Sequence, residues 1–258
     1  VLSLHYLLLD NVFVYSLTAP AASLTLAPGV LIEVSPGKSL VIGSSSPSGS
    51  TVHPGALIPQ GTPGAPITLT SASATPVPGD WGGLLLADGT DDATTSLDYC
   101  TIEYGGNVSL AGYSANLVVY QANPRLSHLK LRFSKTDGLA TSNANFTLAD
   151  STLAQNLTNG LQIQNGTYTL QTLTINQNGA AGISGNGTVT LADSTLSQNA
   201  TEGLLVSSGN WTITRATITG NGTNGARSTG SASITMTHST ISGNTGKAFS
   251  LSSPTQAV

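Results

Sequence analysis

Five successive segments of the chain lie over one another at spacings of 21 to 23 residues: DGLATSNANFTLADSTLAQNLT, NGLQIQNGTYTLQTLTINQNGA, AGISGNGTVTLADSTLSQNATE, GLLVSSGNWTITRATITGNGTN and GARSTGSASITMTHSTISGNTG. Three apolar columns run through them. The first is Leu139, Leu161, Ile183, Leu204 and Ala226, and the second Leu148, Leu170, Leu191, Ile213 and Met236. The third, Leu153, Ile175, Leu196, Ile218 and Ile241, follows the second by five residues in every segment. A fixed period of this size marks one structural unit stacked on itself. A helical solenoid needs two amphipathic helices per unit, and segments this short and rich in Gly, Thr and Asn cannot supply them. Three short strands per turn can. The fold class expected is therefore all-β, a right-handed parallel β-helix (β-solenoid) of about 22 residues per rung, with strands about 4.8 Å apart along the axis.

Stacking at that distance places like residues on like. Each inward Leu or Ile then contributes about 1.5–3 kcal/mol through burial. A fourth column, Asn156, Asn178, Asn199, Asn221 and Asn244, falls three residues after the third apolar column. Stacked amides can hydrogen-bond from rung to rung, and Asn tolerates tight turns, so these residues form an expected asparagine ladder. The apolar columns extend back to Leu117, Leu126 and Leu131, and before them to Leu97 and Ile102, with an insertion around Asn107 to Asn116. Pro-Gly pairs at Pro28, Pro36, Pro54, Pro63 and Pro78 punctuate the earlier stretch as turns, and residues 44–66 read as an excursion.

The expected organisation is a parallel β-helix over residues 23–246, preceded by an N-terminal strand segment, 1–22, and followed by an incomplete last rung and tail, 247–258. In the first segment Leu2, Leu4, Tyr6, Leu8, Val12 and Val14 nearly alternate, as in a strand. That segment either caps its own first rung or pairs with the open end of another copy, a head-to-tail contact that would propagate a filament. The tail KAFSLSSPTQAV continues the pattern for part of a rung, with Ala248 expected in the first column.

Charged residues are only 8% of the chain and the net charge is −4, with eight Lys and Arg dispersed, so no basic patch for nucleic acid is offered. Cys100 is the sole cysteine, which excludes an internal disulfide framework and a thiolate metal site. The opening VLSLHYLLLDNVFVYSL is interrupted by Asp10 and Asn11 and reads as a mature or trimmed terminus, neither signal peptide nor membrane span. A low-charge surface of Ser, Thr and Asn points to an extracellular or cell-surface location.

The recurring DSTLxxNxxxGL, at Asp150 to Leu161 and again at Asp193 to Leu204, resembles the repeat of the pectate-lyase-like right-handed β-helix superfamily. Upstream, SLTLAPGVLIEV, SPGKSLVIG, GTPGAPITLTS and PGDWGGLLL followed by LDYCTIEYGG resemble the opening rungs of bacterial secreted and surface β-helix proteins. The likeness covers most of residues 23–246. It implies the fold more than an activity, because that scaffold carries lyases, hydrolases, adhesins and structural proteins alike. A pectate lyase would carry a calcium-binding carboxylate cluster beside an arginine base, and a polygalacturonase several Asp on adjacent rungs plus a Gly-His; neither set is found.

Chemistry on such a scaffold must come from outward side chains on neighbouring rungs. One polar column qualifies, three residues before the third apolar column: Tyr99, His128, Asp150, Thr172, Asp193, Arg215 and His238. Its catalytic candidates are Asp150, Asp193 and Arg215. The two acids stand two rungs apart, about 9.6 Å, near the upper end of the roughly 6.5–9.5 Å used by inverting glycosidases; against this, Asp at a bend ordinarily braces it. Asp88, Asp91 and Asp92 form an oxygen-rich loop that is the candidate calcium site, with a solvated turn as the simpler account. Cys100 sits where Ser151 and Ser194 sit in later rungs and reads as a small buried thiol.

Two threonine columns remain: Thr101, Thr152, Thr174, Thr195, Thr217 and Thr240, and Thr147, Thr169, Thr190, Thr212 and Thr235. Ice-binding β-solenoids display such rows; β-propensity also places them on exposed strands, and Lys130 interrupts the first. The chain is thus expected to be a non-catalytic extracellular structural or adhesive β-helix, polymerising head-to-tail or meeting surface glycans, because acid columns are missing. The alternatives are a polysaccharide lyase or glycoside hydrolase acting on a polyuronate, and a glycan- or ice-binding surface.

Overall fold

A computed structural model describes residues 4–18, 20–44 and 51–251. The regular elements among the described residues are all β-strands. They wind into three columns. A ten-stranded sheet starts at His5–Leu8 and ends at Thr240–Ser242, each strand hydrogen-bonding to the equivalent strand one coil later. A 15-stranded sheet contains a second such path, from Val12–Val14 to Phe249–Leu251, and beside it a further row that includes Arg125–Ser127, Thr188–Ala192, Gly209–Thr214 and Ala232–Thr237. Asp137–Ala149 and Leu161–Gln171 are long enough to belong to both rows. Pairing between these strands is parallel throughout, as a stack of like-handed coils requires.

The register matches the apolar columns. Leu153, Ile175, Leu196, Ile218 and Ile241 pair in sequence, and the first four are wholly buried. Leu126, Leu148, Leu170, Leu191, Ile213 and Met236 do likewise. The first column continues from Ala226 to Phe249, not to Ala248. The turn after each ladder Asn has constant length, so the extra residue of this coil lies earlier, between Ala226 and Met236.

Within the segment 1–22, His5–Leu8 pairs with Leu31–Val34, Val12–Val14 with Leu40–Ile42, and Ala22–Leu26 begins a two-stranded sheet with Gly55–Pro59. These strands extend the same columns by one coil. Part of the expected excursion, 44–66, is thus a strand, and residues 45–50 lie outside the described residues. In the segment 247–258, Phe249–Leu251 is paired, whereas residues 252–258, like residues 1–3, lie outside those described.

The ladder forms as the spacing requires. Oδ1 of Asn178 accepts from the backbone N and Nδ2 of Asn156, at 3.1 and 3.0 Å, and the same pair of bonds joins Asn178 to Asn199, Asn199 to Asn221 and Asn221 to Asn244. Each amide also donates back to a carbonyl of the preceding coil, such as Asn199 Nδ2 to Ile175 O at 3.2 Å. This packing explains the glycine of the repeat. A Cβ on Gly182 would stand 2.6 Å from Gly203 O and 2.9 Å from Asn199 Nδ2. In the coil before Asn156 the ladder position is occupied by Ser134, whose side chain is too short to continue it. Asn116, fully buried on the strand Ala115–Tyr120, substitutes from the adjoining column: its Nδ2 donates to Arg132 O at 2.8 Å and its Oδ1 accepts from Gly105 N at 2.7 Å. Asn116 was expected at the edge of an insertion and is instead a strand residue.

Candidate functional site

The polar column that carries the catalytic candidates is a corner of the coil. All seven of its residues have left-handed backbone, with φ between 48° and 55°. At this corner one left-handed residue in each coil turns the chain while its amide keeps its interstrand bond, as in Asp193 N to Thr214 O at 3.1 Å, and a second such position follows two residues after the third apolar column, at Tyr104, Phe133, Gln155, Gln177 and Gln198. Asp and Asn enter that region at lower cost than most residues, so the geometry accounts for an Asp here without catalysis. The side chains point outward, and at two places they pair along the stack. Asp193 is gripped by Arg215, Nε at 2.6 Å and Nη2 at 2.7 Å, and that grip holds its carboxyl below the usual range while raising the guanidinium. Both are exposed, so the pair is a surface brace. Asp150 is exposed on the coil two earlier, with Thr172 between them. At the other end of the column Tyr99 stacks on His128 at 4.1 Å, and His128 Nδ1 lies 2.7 Å from Asp98.

Asp88, Asp91 and Asp92 do not converge. Asp91 accepts from Ala93 N and Thr94 Oγ1 within its own turn, while Asp92 is held by Asn123 through its backbone N at 2.6 Å and Nδ2 at 2.7 Å. No group of three or more His, Cys, Asp and Glu placed to hold a metal occurs among the described residues. The Cys100 thiol is buried, donates to Asp98 O, and is pushed up to about 12 chiefly by desolvation, which makes it a packing group rather than a nucleophile at neutral pH. Burial likewise raises the Asp137 carboxyl, although Thr158 and Asn159 donate to it.

Two surface features were not singled out from the sequence. On the strands Cys100–Glu103 and Lys130–Arg132, Arg132 Nε meets Glu103 at 2.7 Å and the guanidinium carbon Cζ lies 5.1 Å from the centroid of the Phe133 ring, which stacks on Tyr104. These residues are distant in sequence but adjacent in the stack, and only the correct coil register aligns them. On the other sheet, a groove of about 380 Å³ is lined by Asn123, Arg125, Ser127, Phe146 and Thr147.

A cavity of about 450 Å³ lies at the first coil among Leu4, Tyr6, Leu8, Val12, Leu24 and Leu26. Several outward side chains of that coil are also apolar, with Leu9 72%, Leu17 71% and Phe13 59% exposed.

The second threonine column is an exposed row. Thr147, Thr169, Thr190, Thr212 and Thr235 pair consecutively and all are exposed. Two residues before each, Asn145, Thr167, Thr188, Asn210 and Ser233 form a parallel exposed row. Between the rows, Phe146, Tyr168, Val189, Trp211 and Ile234 point inward and are buried.

Stacked parallel coils, an amide ladder and left-handed corners define a β-helix. The model of the right-handed β-helix region matches residues 83–257, and the chain belongs to that family. No curated protein matches the sequence. Among solved structures, pectate lyase Pel9A is 13% identical, with 99% of this chain and 79% of that one covered and a TM-score of 0.45. The A-module of Azotobacter vinelandii mannuronan C-5 epimerase AlgE4 is 14% identical over 93% of this chain and 69% of that one, with a TM-score of 0.39. The periplasmic alginate epimerase AlgG gives 12%, 89%, 72% and 0.35 for the same quantities.

Proposed function

We propose that the protein is a non-catalytic, extracellular β-helix scaffold, structural or adhesive, that acts through its outer surface. The observation that supports this is the use made of charge. Four carboxylates, the candidate Asp193 among them, are engaged by cations on neighbouring coils: Asp193 by Arg215, Glu103 by Arg132, Glu202 by Arg227 and Asp10 by Lys38, which leaves Asp150 two coils away without a second free acid in its column. General acid–base chemistry needs a titratable group free to exchange its proton with substrate, and an ion-paired brace is a poor one. Incubation with pectin, alginate and related polyuronates, with and without Ca²⁺, is expected to release neither unsaturated products nor reducing ends. Turnover that disappears in Asp193→Asn would establish the competing reading, a lyase or hydrolase.

The exposed apolar side chains of the first coil support a second element of the proposal, contact between copies. Sedimentation at rising concentration should show association that weakens when Phe13 and Leu17 are replaced by Ser; a protein monomeric at every concentration removes this element.

A further inference from the structure

We infer that the paired rows on the strands spanning residues 145–149, 167–171, 188–192, 210–214 and 233–237 bind the surface of ice. The inference rests on the reading of the chain as a binding scaffold and names what one face would bind.

The ten outward residues of the two rows are all exposed, and none is charged. In-register parallel pairing repeats them about every 4.8 Å along the stack, and alternate residues on one strand stand about 6.6–6.8 Å apart. A surface with two regular repeats fits a target that is itself a lattice. Seven of the ten are threonine, including the whole Thr190 row, which presents a hydroxyl and a methyl from a β-branched side chain stiff at its first torsion. Little rotamer freedom is then lost on contact, and many weak contacts made at once add up. The rows are also backed by a packed interior. Tyr168 and Trp211 are 1% exposed, and Phe146 meets Tyr168 edge-on at 5.2 Å, so the face is held from behind.

Electrostatic character selects the target. A neutral array suits a neutral lattice, whereas polyuronates, nucleic acid and charged membranes all call for cations, and none of the ten positions carries one; Arg125 lies one coil before Thr147 and Arg215 at the corner after Thr214. A crystalline neutral polysaccharide is the other regular neutral surface. Pyranose rings are gripped by exposed aromatic faces, and the aromatic residues of these strands all point inward. Hydroxyls and methyls spaced on a grid are suited instead to ordering and joining a water lattice.

The test is uptake into slowly grown ice, read by intrinsic tryptophan fluorescence in the ice and liquid fractions. Wild-type protein is expected to concentrate in the ice, while Thr190→Tyr, which raises a bulky ring from the centre of the face, is excluded like an ordinary solute. Gln177→Tyr is the control and is expected to behave as wild type, since it occupies the left-handed corner position that Tyr104 fills in its own coil. If Thr190→Tyr does not fold, Thr190→Lys answers the same question, because Lys130 stands in the threonine row of the neighbouring sheet. Wild-type protein excluded from ice overturns the inference, and so does equal uptake of wild type and both face variants. Exclusion from ice combined with Thr190-dependent retention on crystalline cellulose or chitin also overturns it and assigns the face to a glycan. Polyuronate turnover would sink the scaffold reading and leave the ice result to be judged alone.

Discussion

Asn199→Ala is expected to destabilise the protein by about 3–6 kcal/mol, more than a typical surface polar substitution by severalfold. Asn199 is 1% exposed and sits in the middle of the ladder. Its Oδ1 accepts from the backbone N of Asn178 at 3.2 Å and from Nδ2 of Asn178 at 2.9 Å, and its Nδ2 donates to Ile175 O and to Asn221 Oδ1. Alanine removes both sides of this exchange. It strands a buried amide N–H, a buried carbonyl and one hydrogen of a neighbouring amide, at about 1–3 kcal/mol for each group that water does not reach. Asn244 lies at a more accessible position, so Asn244→Ala should cost distinctly less. Urea unfolding of the two variants checks this. Equal midpoints for Asn199→Ala and wild type would show that the turn, not the ladder, holds the coils.

The second large effect expected is that of Trp211→Ala, about 3–5 kcal/mol. Trp211 is 1% exposed, pairs in register with Val189 and Ile234, and donates its indole N–H to Ser208 O at 3.2 Å. Truncation opens a cavity that the coils on either side cannot close without breaking their own register. Because stability in a stack is a sum of coil and nearest-neighbour terms, the loss should be local. Hydrogen exchange is expected to accelerate most in the strands Thr188–Ala192, Gly209–Thr214 and Ala232–Thr237, and least near Leu31–Val34. Uniform acceleration along the chain would mean that the stack unfolds as a single unit.

Much of this molecule is legible from spacing alone. The apolar columns at Leu153, Leu148 and Leu139 and the asparagine column at Asn156 are properties of each short segment, and stacking identical segments in parallel turns sequence period directly into spatial neighbourhood. Local chemistry therefore determined the fold, the inward residues and the ladder. What the repeat could not supply is anything that depends on departures from it. Asn116 completes the ladder from another strand because Ser134 is too short, a substitution visible only once both coils are placed. Phe249 rather than Ala248 continues the first column because the turn after Asn244 keeps its length. Asp150 and Asp193 read from the sequence as a spaced pair of acids; their left-handed backbone, at 48° and 51°, and the Arg215 contact to Asp193 are visible only in the tertiary structure. The same holds for the Arg132, Glu103 and Phe133 cluster and for the full exposure of the Thr190 face. Burial and pairing across an insertion are set by how the coils are packed, whereas the columns are set by the covalent order within one coil.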